Sequence, residues 1–397
     1  MAAVEIKKDV YWVGAVDWNV RDFHGYSTER GTTYNAYLIR DEKVALVDTV
    51  KSDFRSDLLH HIHQVIDPAK IDYIIVNHVE LDHSGALPAL IDRVQPEKIF
   101  CTANGKRAMI SHFHREDWPF EVVKTGDEIS LGSRTIRFVE TKMLHWPDSM
   151  FSYLVEEKLL FSSDAFGQHL ASSHRFDDQL PMDELMIHAA KYYANILLVF
   201  SPLVQKLLAQ VAEMGLAIDM IAPDHGPIWR GAPERIVEAY DRWSRQETIN
   251  KALVVYDTMW KSTEKMAKSV CSGLEKEGVE VRMMSARLCH RSDIMAEMLD
   301  AKAIIVGSAT LNNNIMPRLA DILTYIKGLR PVGRVGASFG SYGWSGEAVR
   351  QLNGHLEEIG VELVDEGVRI KNVPDHEGYQ KCVELGAAVG RAVIQGK

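Results

Sequence analysis

The first 248 residues carry short apolar runs separated by polar turns, a pattern that predicts short strands with amphipathic helices among them. The predicted strands lie at residues 33–38, 44–50, 72–77, 98–102, 135–141, 151–156, 158–162 and 217–223. The predicted helices lie at residues 84–94, 182–193, 203–213 and 233–246. Strand-rich stretches mixed with helices indicate two sheets covered by helices, an αββα sandwich of the α/β class.

After residue 249 the pattern becomes a strict alternation of strands and helices. The predicted strands are 251–256, 279–284, 301–306 and 334–339, and the predicted helices are 262–277, 317–328 and 346–359. This alternation is typical of a doubly wound parallel sheet, which binds its ligand at the carboxyl ends of its strands. We therefore predict two domains, residues 1–248 and residues 249–397, joined by a short linker.

Composition narrows the class of protein without identifying it. The chain has 397 residues and a formal net charge of −10, which argues against binding to nucleic acid or to an anionic membrane. Its four cysteines form no CxxC pair, so we expect no zinc ribbon and no fused rubredoxin-type iron site. Scattered cysteines favour reduced thiols in the cytoplasm. No apolar run of about 18 residues predicts a membrane span, and no secretory leader is expected.

The strongest chemical signal is the segment from His78 to His83, with the sequence HVELDH. It places His78, Glu80, Asp82 and His83 between a predicted strand and a predicted helix, where four metal-binding side chains can converge. The alternative is that Asp82 or Ser84 is an ordinary helix N-cap. Such a cap explains one of these residues but not all four, so the segment favours a metal site.

Three further metal-binding side chains follow predicted strands. They are His145, Asp164 and His225, and turn-forming or small residues flank each of them. Each alone is a weak signal, because a single histidine is more often a hydrogen-bonded structural residue. Together they matter because loops after strands are where α/β folds place their chemistry.

These residues resemble the metal motif of the metallo-β-lactamase superfamily, which binds two metals through an H-x-H-x-D-H motif and a later His, Asp and His. Glu80 replaces the second histidine of that motif, and the added carboxylate favours iron over zinc. An H-x-E-x-D-H motif resembles the flavodiiron branch of the superfamily. The resemblance implies one iron on His78, Glu80 and His145, a second on Asp82 and His225, and Asp164 as the bridge. It leaves His83 open, as a ligand, a proton donor or a residue replaced by water. It also leaves Trp146 open, as a wall of the substrate pocket or as core packing.

A second set of loops suggests a phosphate-bearing cofactor. After the strand at 251–256, hydroxyls and backbone N–H groups precede a helix, the arrangement that binds a phosphate at a helix N-terminus. Ser262 as a plain helix cap is the alternative. Two later loops follow strands and carry glycines, amides and aromatic rings suited to an isoalloxazine. The predicted contacts are Thr258, Met259, Trp260, Lys261, Ser262, Thr263, Ser308, Ala309, Thr310, Leu311, Asn312, Asn313, Ser338, Phe339, Gly340, Ser341, Tyr342, Gly343 and Trp344. The three loops resemble flavodoxin and imply FMN.

The resemblance to flavodiiron proteins covers nearly the whole chain. It implies reduction of O2 to water, of NO to N2O, or of both, at a non-haem di-iron site fed through FMN by a rubredoxin or similar small electron donor. It also implies a head-to-tail homodimer, or a homotetramer built from two such dimers. Two rival hypotheses remain: a metal-dependent hydrolase with a fused flavodoxin domain, and a non-catalytic electron carrier or gas sensor with a vestigial metal site.

Overall fold

The computed structural model describes residues 2–23 and 25–396. Their contacts divide them into two compact units. The first contains residues 2–23, 28–192 and 202–241, and the second contains residues 25–27, 193–201 and 242–396.

The elements up to residue 244 are short strands and helices. The strands are β1 (Val4–Lys7), β2 (Val10–Trp12), β3 (Ala15–Asp17), β4 (Asp22–Phe23), β5 (Tyr26–Ser27), β6 (Thr32–Tyr34), β7 (Tyr37–Ile39), β8 (Ala45–Val47), β9 (Tyr73–Ile75), β10 (Lys98–Cys101), β11 (Phe120–Val122), β12 (Glu128–Ser130), β13 (Thr135–Glu140), β14 (Met150–Leu154), β15 (Leu159–Phe161) and β16 (Met220–Ala222). The helices are α1 (Arg55–Val65), α2 (Leu81–Ser84), α3 (Leu87–Val94), α4 (Ala103–Phe113), α5 (Met182–Tyr192), α6 (Ser201–Glu213) and α7 (Pro233–Ser244).

The first unit is built on two sheets. One has the strand order β1-β2-β7-β8-β9-β10-β11, and the other has the order β12-β13-β14-β15-β16. One apolar cluster lies between the sheets and includes Tyr37, Phe138 and Phe161, all fully buried. A second cluster lies between the first sheet and the helices α1, α3 and α4, and it includes Leu58 and Leu90. Two buried layers around one pair of sheets make the predicted αββα sandwich.

The second unit alternates strands and helices. Its strands are β17 (Ile249–Asp257), β18 (Glu280–Ser285), β19 (Ala301–Ala309), β20 (Val335–Tyr342), β21 (Glu362–Leu363) and β22 (Val368–Lys371). Its helices are α8 (Ser262–Lys276), α9 (Arg291–Met298), α10 (Pro317–Leu329), α11 (Ala348–Ile359) and α12 (His376–Ile394). The strands run parallel in the order β18-β17-β19-β20-β21, with β22 also paired to β20. This is the flavodoxin-like order, in which the chain reverses direction across the sheet between β17 and β19.

Helices α8 and α12 cross at two glycines, and this contact closes one face of the parallel sheet. A Cβ atom at Gly273 would lie 2.1 Å from the carbonyl oxygen of Val383, and one at Gly386 would lie 2.0 Å from that of Val270. Only glycine allows this approach of the two backbones. The helices then bury Cys271, Leu274, Leu385 and other apolar side chains against β17 and β19.

The predicted elements correspond to observed ones with shifted ends. The predicted strand at 33–38 is two strands, β6 and β7, and the strand predicted to end at residue 339 extends to Tyr342. The sequence pattern gave no prediction for α12. Within the described residues, the helical stretch Met182–Glu213 has the length and mean hydropathy of a membrane span. This is weak evidence, because a core helix meets the same criteria.

Candidate metal centre and cofactor pocket

The predicted metal-binding side chains lie in loops that follow strands of the first unit. His78, Glu80, Asp82 and His83 lie between β9 and the end of α2, in a turn where Ser84 Oγ donates to the carbonyl of Val79 (2.6 Å). The other three residues follow β13, β15 and β16 respectively. The fold brings all seven together, in two neighbouring groups that share one carboxylate.

The first group consists of His78, Glu80, His145 and Asp164. Glu80 Oε2 lies 3.2 Å from His78 Nε2 and 3.3 Å from His145 Nε2. Asp164 Oδ2 lies 3.4 Å and 3.1 Å from the same two nitrogens. Spacings of 3.1–3.4 Å between ligand atoms are those of a coordination sphere with bonds of about 2.0–2.2 Å.

The second group consists of Asp82, His83 and His225, completed by the other oxygen of Asp164. Asp82 Oδ2 lies 3.2 Å from both His83 Nε2 and His225 Nε2. Asp164 Oδ1 lies 3.2 Å from His83 Nε2 and 3.4 Å from His225 Nε2. One oxygen of Asp164 thus faces each group, which is the arrangement of a carboxylate that bridges two metals.

The hydrogen bonds behind two of the imidazoles fix the nitrogen atoms that face the groups. The Nδ1 of His225 donates to the carbonyl oxygen of Thr33 (2.6 Å), and the Nδ1 of His78 donates to Asp148 Oδ2 (3.1 Å). Each Nε2 is therefore the ring nitrogen that faces the carboxylate oxygens of its group. A hydrogen bond behind the ring that directs Nε2 toward carboxylates is the arrangement of a histidine metal ligand.

Several buried polar atoms of the centre accept or donate no hydrogen bond within the described chain. They are Oδ1 of Asp82, both ring nitrogens of His83 and both carboxylate oxygens of Asp164. An unsatisfied buried polar atom costs about 1–3 kcal/mol, and more when it is charged. Metal ions held by these atoms remove that cost, so the residues present fit a pair of metals. The mixture of imidazole and carboxylate fits iron.

Electrostatics favour positive charge at the centre. Burial opposes a charge on His145, but Asp164 and Glu80 outweigh burial and raise its pKa to about 9. Burial likewise opposes a charge on Glu80, but hydrogen bonds from His145 and His78 lower its pKa to about 2. In spite of its own burial, Asp164 has a pKa held well below the usual range by His83 and its neighbours. A metal pair supplies the positive charge that protons supply otherwise, and it competes with them.

His83 turns its Nε2 toward the second group, so the geometry supports a role as ligand. Its other nitrogen, Nδ1, lies 3.8 Å from Asp224 Oδ2. Asp224 therefore lies behind His83, on the side away from the metal groups. Trp146 lies against the first group, with its ring centroid 5.2 Å from that of His78 at an interplanar angle of 83°. This position is that of a wall beside the first group.

Some residues that shape the centre carry no sequence signal. Asn35, directly after β6, donates from Nδ2 to the carbonyl oxygens of Pro223 and Gly226. Tyr37 in β7 donates from Oη to the carbonyl oxygen of Pro223, so both residues hold the loop of His225. The ring of His169 lies 4.7 Å from that of His225. These contacts span more than 50 residues of chain, and no local pattern indicates them.

The second unit contains a cavity of about 470 Å³ at the carboxyl ends of β17, β19 and β20. Eleven of its lining residues are predicted cofactor contacts: Met259, Trp260, Ser262, Ala309, Thr310, Asn312, Asn313, Ser341, Tyr342, Gly343 and Trp344. Ser345, Asn372 and Val373 complete the lining and were not predicted. The size suits a cofactor-sized ligand.

A buried polar atom lies next to the cavity, before the start of helix α8. The Oγ1 of Thr258 is buried without a hydrogen-bond partner in the described structure. Lys261 adopts a left-handed conformation (φ 67°) directly before α8, so the N–H groups at the start of that helix are available to an anion. The buried hydroxyl and the open helix terminus fit the phosphate of FMN.

Other predicted contacts do not line the cavity. Ser338, Phe339 and Gly340 lie within β20, where Phe339 is fully buried and Ser338 Oγ donates to Asn353 Oδ1 (2.5 Å). Because the strand continues to Tyr342, the loop that reaches the cavity begins later than predicted. The remaining predicted residues outside the lining are Thr258, Lys261, Thr263, Ser308 and Leu311.

Comparisons with known proteins agree with this geometry. A family model described as "ODP family beta lactamase" matches residues 32–226, and the flavodoxin model matches residues 254–386. The chain is 48% identical over 396 residues to a rubredoxin-oxygen oxidoreductase of Megalodesulfovibrio gigas, covering 99% of this chain and 98% of that protein. It is 48% identical over 393 residues to a nitric oxide reductase of Moorella thermoacetica, covering 98% of each.

A solved structure of lower sequence identity has the same fold as this chain. The crystal structure of the flavodiiron protein from Giardia intestinalis superposes with a TM-score of 0.97 at 33% identity, covering 100% of this chain and 98% of that one. The two ligand groups that share Asp164, the flavodoxin-like cavity and these relatives lead to one conclusion. The chain is an oxidoreductase with an FMN-binding domain and a non-haem di-iron site, and it belongs to the flavodiiron protein family.

Proposed function

We propose that this chain reduces O2 to water, NO to N2O, or both. The first reaction consumes four electrons and four protons per O2, and the second consumes two electrons and two protons per pair of NO molecules. The observation that carries the proposal is Asp164, whose two oxygens face separate groups of ligands 3.1–3.4 Å away. A hydrolytic centre of the same superfamily has a histidine where this chain has Glu80, so the hydrolase hypothesis has less support.

The protein groups have distinct tasks in this proposal. One iron would be held by His78, Glu80 and His145. The other would be held by Asp82, His83 and His225. Asp164 would bind both irons. The iron pair supplies redox electrons and open coordination positions for a diatomic gas. Trp146 limits the space beside the first group. Asp148 and the carbonyl of Thr33 keep the lone pairs of His78 and His225 aimed inward.

Electrons would reach the iron pair through FMN, which accepts two electrons and passes them on singly. The cavity of the second unit would hold it, with the phosphate near Thr258 and Ser262 and the ring between the loops that carry Asn312 and Trp344. The electron donor would be a rubredoxin or a similar small iron protein, because the relative of Megalodesulfovibrio gigas is a rubredoxin-oxygen oxidoreductase. In this proposal residues 1–248 form the di-iron domain and residues 249–397 the FMN domain.

A head-to-tail homodimer, or a tetramer of two such dimers, would use the rim of the FMN cavity. Trp260 is 90% exposed and Trp344 is 88% exposed, and Val373 is 63% exposed beside them. Large apolar side chains grouped at one cavity mouth mark a protein interface, and tryptophan is the residue type that dominates binding energy there. We propose that a second copy of this chain covers these side chains.

The free cysteines of the described chain support a cytoplasmic location.

Turnover with the two gases tests the proposal. Purified protein, with its iron and FMN content measured, is given one reduced donor and either NO without air or O2 in air. We expect steady consumption of at least one gas, with about two irons and one FMN per chain. Zinc at the centre together with hydrolysis of an ester or a β-lactam would refute the proposal.

A further inference from the structure

The loop that carries Asp164 has an unusual backbone, and this raises the question of what holds it. Ser163 and Phe166 have φ angles of +51° and +66°, in the left-handed region that residues other than glycine rarely adopt. Such a conformation persists only where neighbouring contacts enforce it. Asp164 lies in this loop, between Ser163 and Phe166, so the backbone of the loop sets the direction in which its side chain leaves the chain.

Two buried side chains hydrogen-bond to the backbone of one loop residue, Phe166. The N–H of Phe166 donates to Tyr240 Oη (2.7 Å), and the carbonyl oxygen of Phe166 accepts from Trp229 Nε1 (2.8 Å). The rings of Phe166 and Tyr240 also contact each other, with a centroid distance of 4.5 Å and an interplanar angle of 40°. Tyr240 is 1% exposed and Trp229 is fully buried.

Tyr240 and Trp229 are both anchored in secondary structure. Tyr240 belongs to helix α7. Trp229 exchanges two backbone hydrogen bonds of 2.9 Å with Ile221 in strand β16. The two hydrogen bonds to Phe166 therefore connect the Asp164 loop to strand β16 and to helix α7.

Hydrogen bonds within the loop connect Phe166 to Asp164. The N–H of Ala165 donates to the carbonyl of Ser162 (3.1 Å), and Ser162 Oγ donates to the carbonyl of Ala165 (2.7 Å). The N–H of Gly167 donates to the carbonyl of Asp164 (3.1 Å). The turn from Ser162 to Gly167 is thus a single hydrogen-bonded unit, and its rotation would move the carboxylate of Asp164.

We propose that Tyr240 and Trp229 are positioning residues, which clamp the backbone on both sides of the Phe166 Cα atom and thereby hold Asp164 between the two metal groups. This inference rests on the proposed di-iron role of Asp164. The hydrogen bonds from Tyr240 and Trp229 to the backbone of Phe166 reach Asp164 through the loop. Loosening the clamp would let the shared carboxylate turn toward one metal and away from the other.

The test uses full-length protein loaded with iron and FMN. Tyr240→Phe removes the acceptor of the Phe166 N–H while it keeps the ring, and Trp229→Phe removes the indole donor. We expect both variants to bind two irons, to lose iron to a chelator roughly tenfold faster than wild type, and to show an altered mixed-valence EPR spectrum. The flavin absorbance should be unchanged.

Tyr153→Phe is the control, because it also deletes a tyrosine hydroxyl that hydrogen-bonds to the backbone, in this case by donating to the carbonyl oxygen of Ala217. It should lose iron at the wild-type rate. Should Tyr240→Phe fail to fold, judged by circular dichroism, Trp229→Phe decides by the same criteria. The positioning role would be wrong, and the proposed function untouched, if the folded Tyr240→Phe and Trp229→Phe variants lost iron at the wild-type rate with the wild-type EPR spectrum. It would also be wrong if Tyr153→Phe lost iron as fast as they do. A wild-type protein without an iron pair would overturn both the clamp and the proposed function.

Discussion

Replacing Asp148 with Asn should weaken one of the two iron positions and spare the other. Asp148 is 3% exposed, and its Oδ2 accepts from His78 Nδ1 (3.1 Å) and from the N–H of Val79 (2.8 Å). His78 lowers the pKa of Asp148 in spite of its burial, so the side chain is a carboxylate at neutral pH. Asn keeps the shape and an acceptor oxygen but removes the negative charge behind the imidazole.

The size of the effect follows from the hydrogen bond that changes. A bond to a charged group contributes about 1.5–3 kcal/mol against about 1 kcal/mol for a neutral one. The loss of about 1–2 kcal/mol corresponds to roughly 5–30-fold weaker binding at the position formed by His78, Glu80 and His145. The position formed by Asp82, His83 and His225 has no contact with Asp148 among the hydrogen bonds described, so its affinity should change little.

The assay is an anaerobic titration of metal-free protein with Fe²⁺ against a competing chelator, followed by Mössbauer spectroscopy of the half-loaded protein. Asp177→Asn is the control, since Asp177 is 1% exposed and accepts from the N–H groups of Arg230, Gly231 and Ala232, away from the centre. Unchanged affinities in Asp148→Asn would refute the reasoning. So would selective loss from the other position.

Three further predictions concern the choice of metal, the cofactor and the fold. Glu80→His should raise the ratio of zinc to iron in purified protein, because a third imidazole replaces a carboxylate; an unchanged ratio in metal analysis would contradict this. Thr258→Val should weaken FMN binding about tenfold, or about 1.4 kcal/mol, in a fluorescence titration, since it removes the buried hydroxyl at the phosphate end. Burial lowers the pKa of Lys251, but Asp300 and Glu297 outweigh burial and raise it. The contribution of Lys251 to the free energy of unfolding is therefore complete below its unfolded pKa of about 10.4, and it is lost as pH rises through the higher folded pKa. Wild type should therefore lose stability above about pH 10.4 in thermal melts, and Lys251→Met should lose less.

The metal centre could be predicted because its signal is local in sequence. Each ligand lies in the segment that follows a strand, and such segments cluster at one edge of an α/β sandwich. The partners behind the ligands could not be predicted in this way. Thr33 and His225 are joined by a hydrogen bond across 192 residues, and Phe166 meets Tyr240 across 74. These pairings follow from the packing of the sheets.

The third cofactor loop shows why one boundary was wrong. Gly340 and Ser341 resemble a loop in sequence, yet both lie in strand β20. A Cβ atom at Gly340 would lie 2.3 Å from the carbonyl oxygen of Ser308 on the neighbouring strand. The glycine is thus required by close approach of two strands and does not mark a turn. Helix α12 escaped prediction for a related reason, because Gly378, Gly386 and Gly390 weaken its helical signal while allowing it to pack.

The central claim is that Asp164 joins two irons. Anomalous diffraction at the iron absorption edge, on crystals of the purified protein, tests it directly. The account predicts two iron peaks, one among His78, Glu80 and His145 and the other among Asp82, His83 and His225, on opposite oxygens of Asp164. A single peak, or peaks at the zinc edge only, would contradict it.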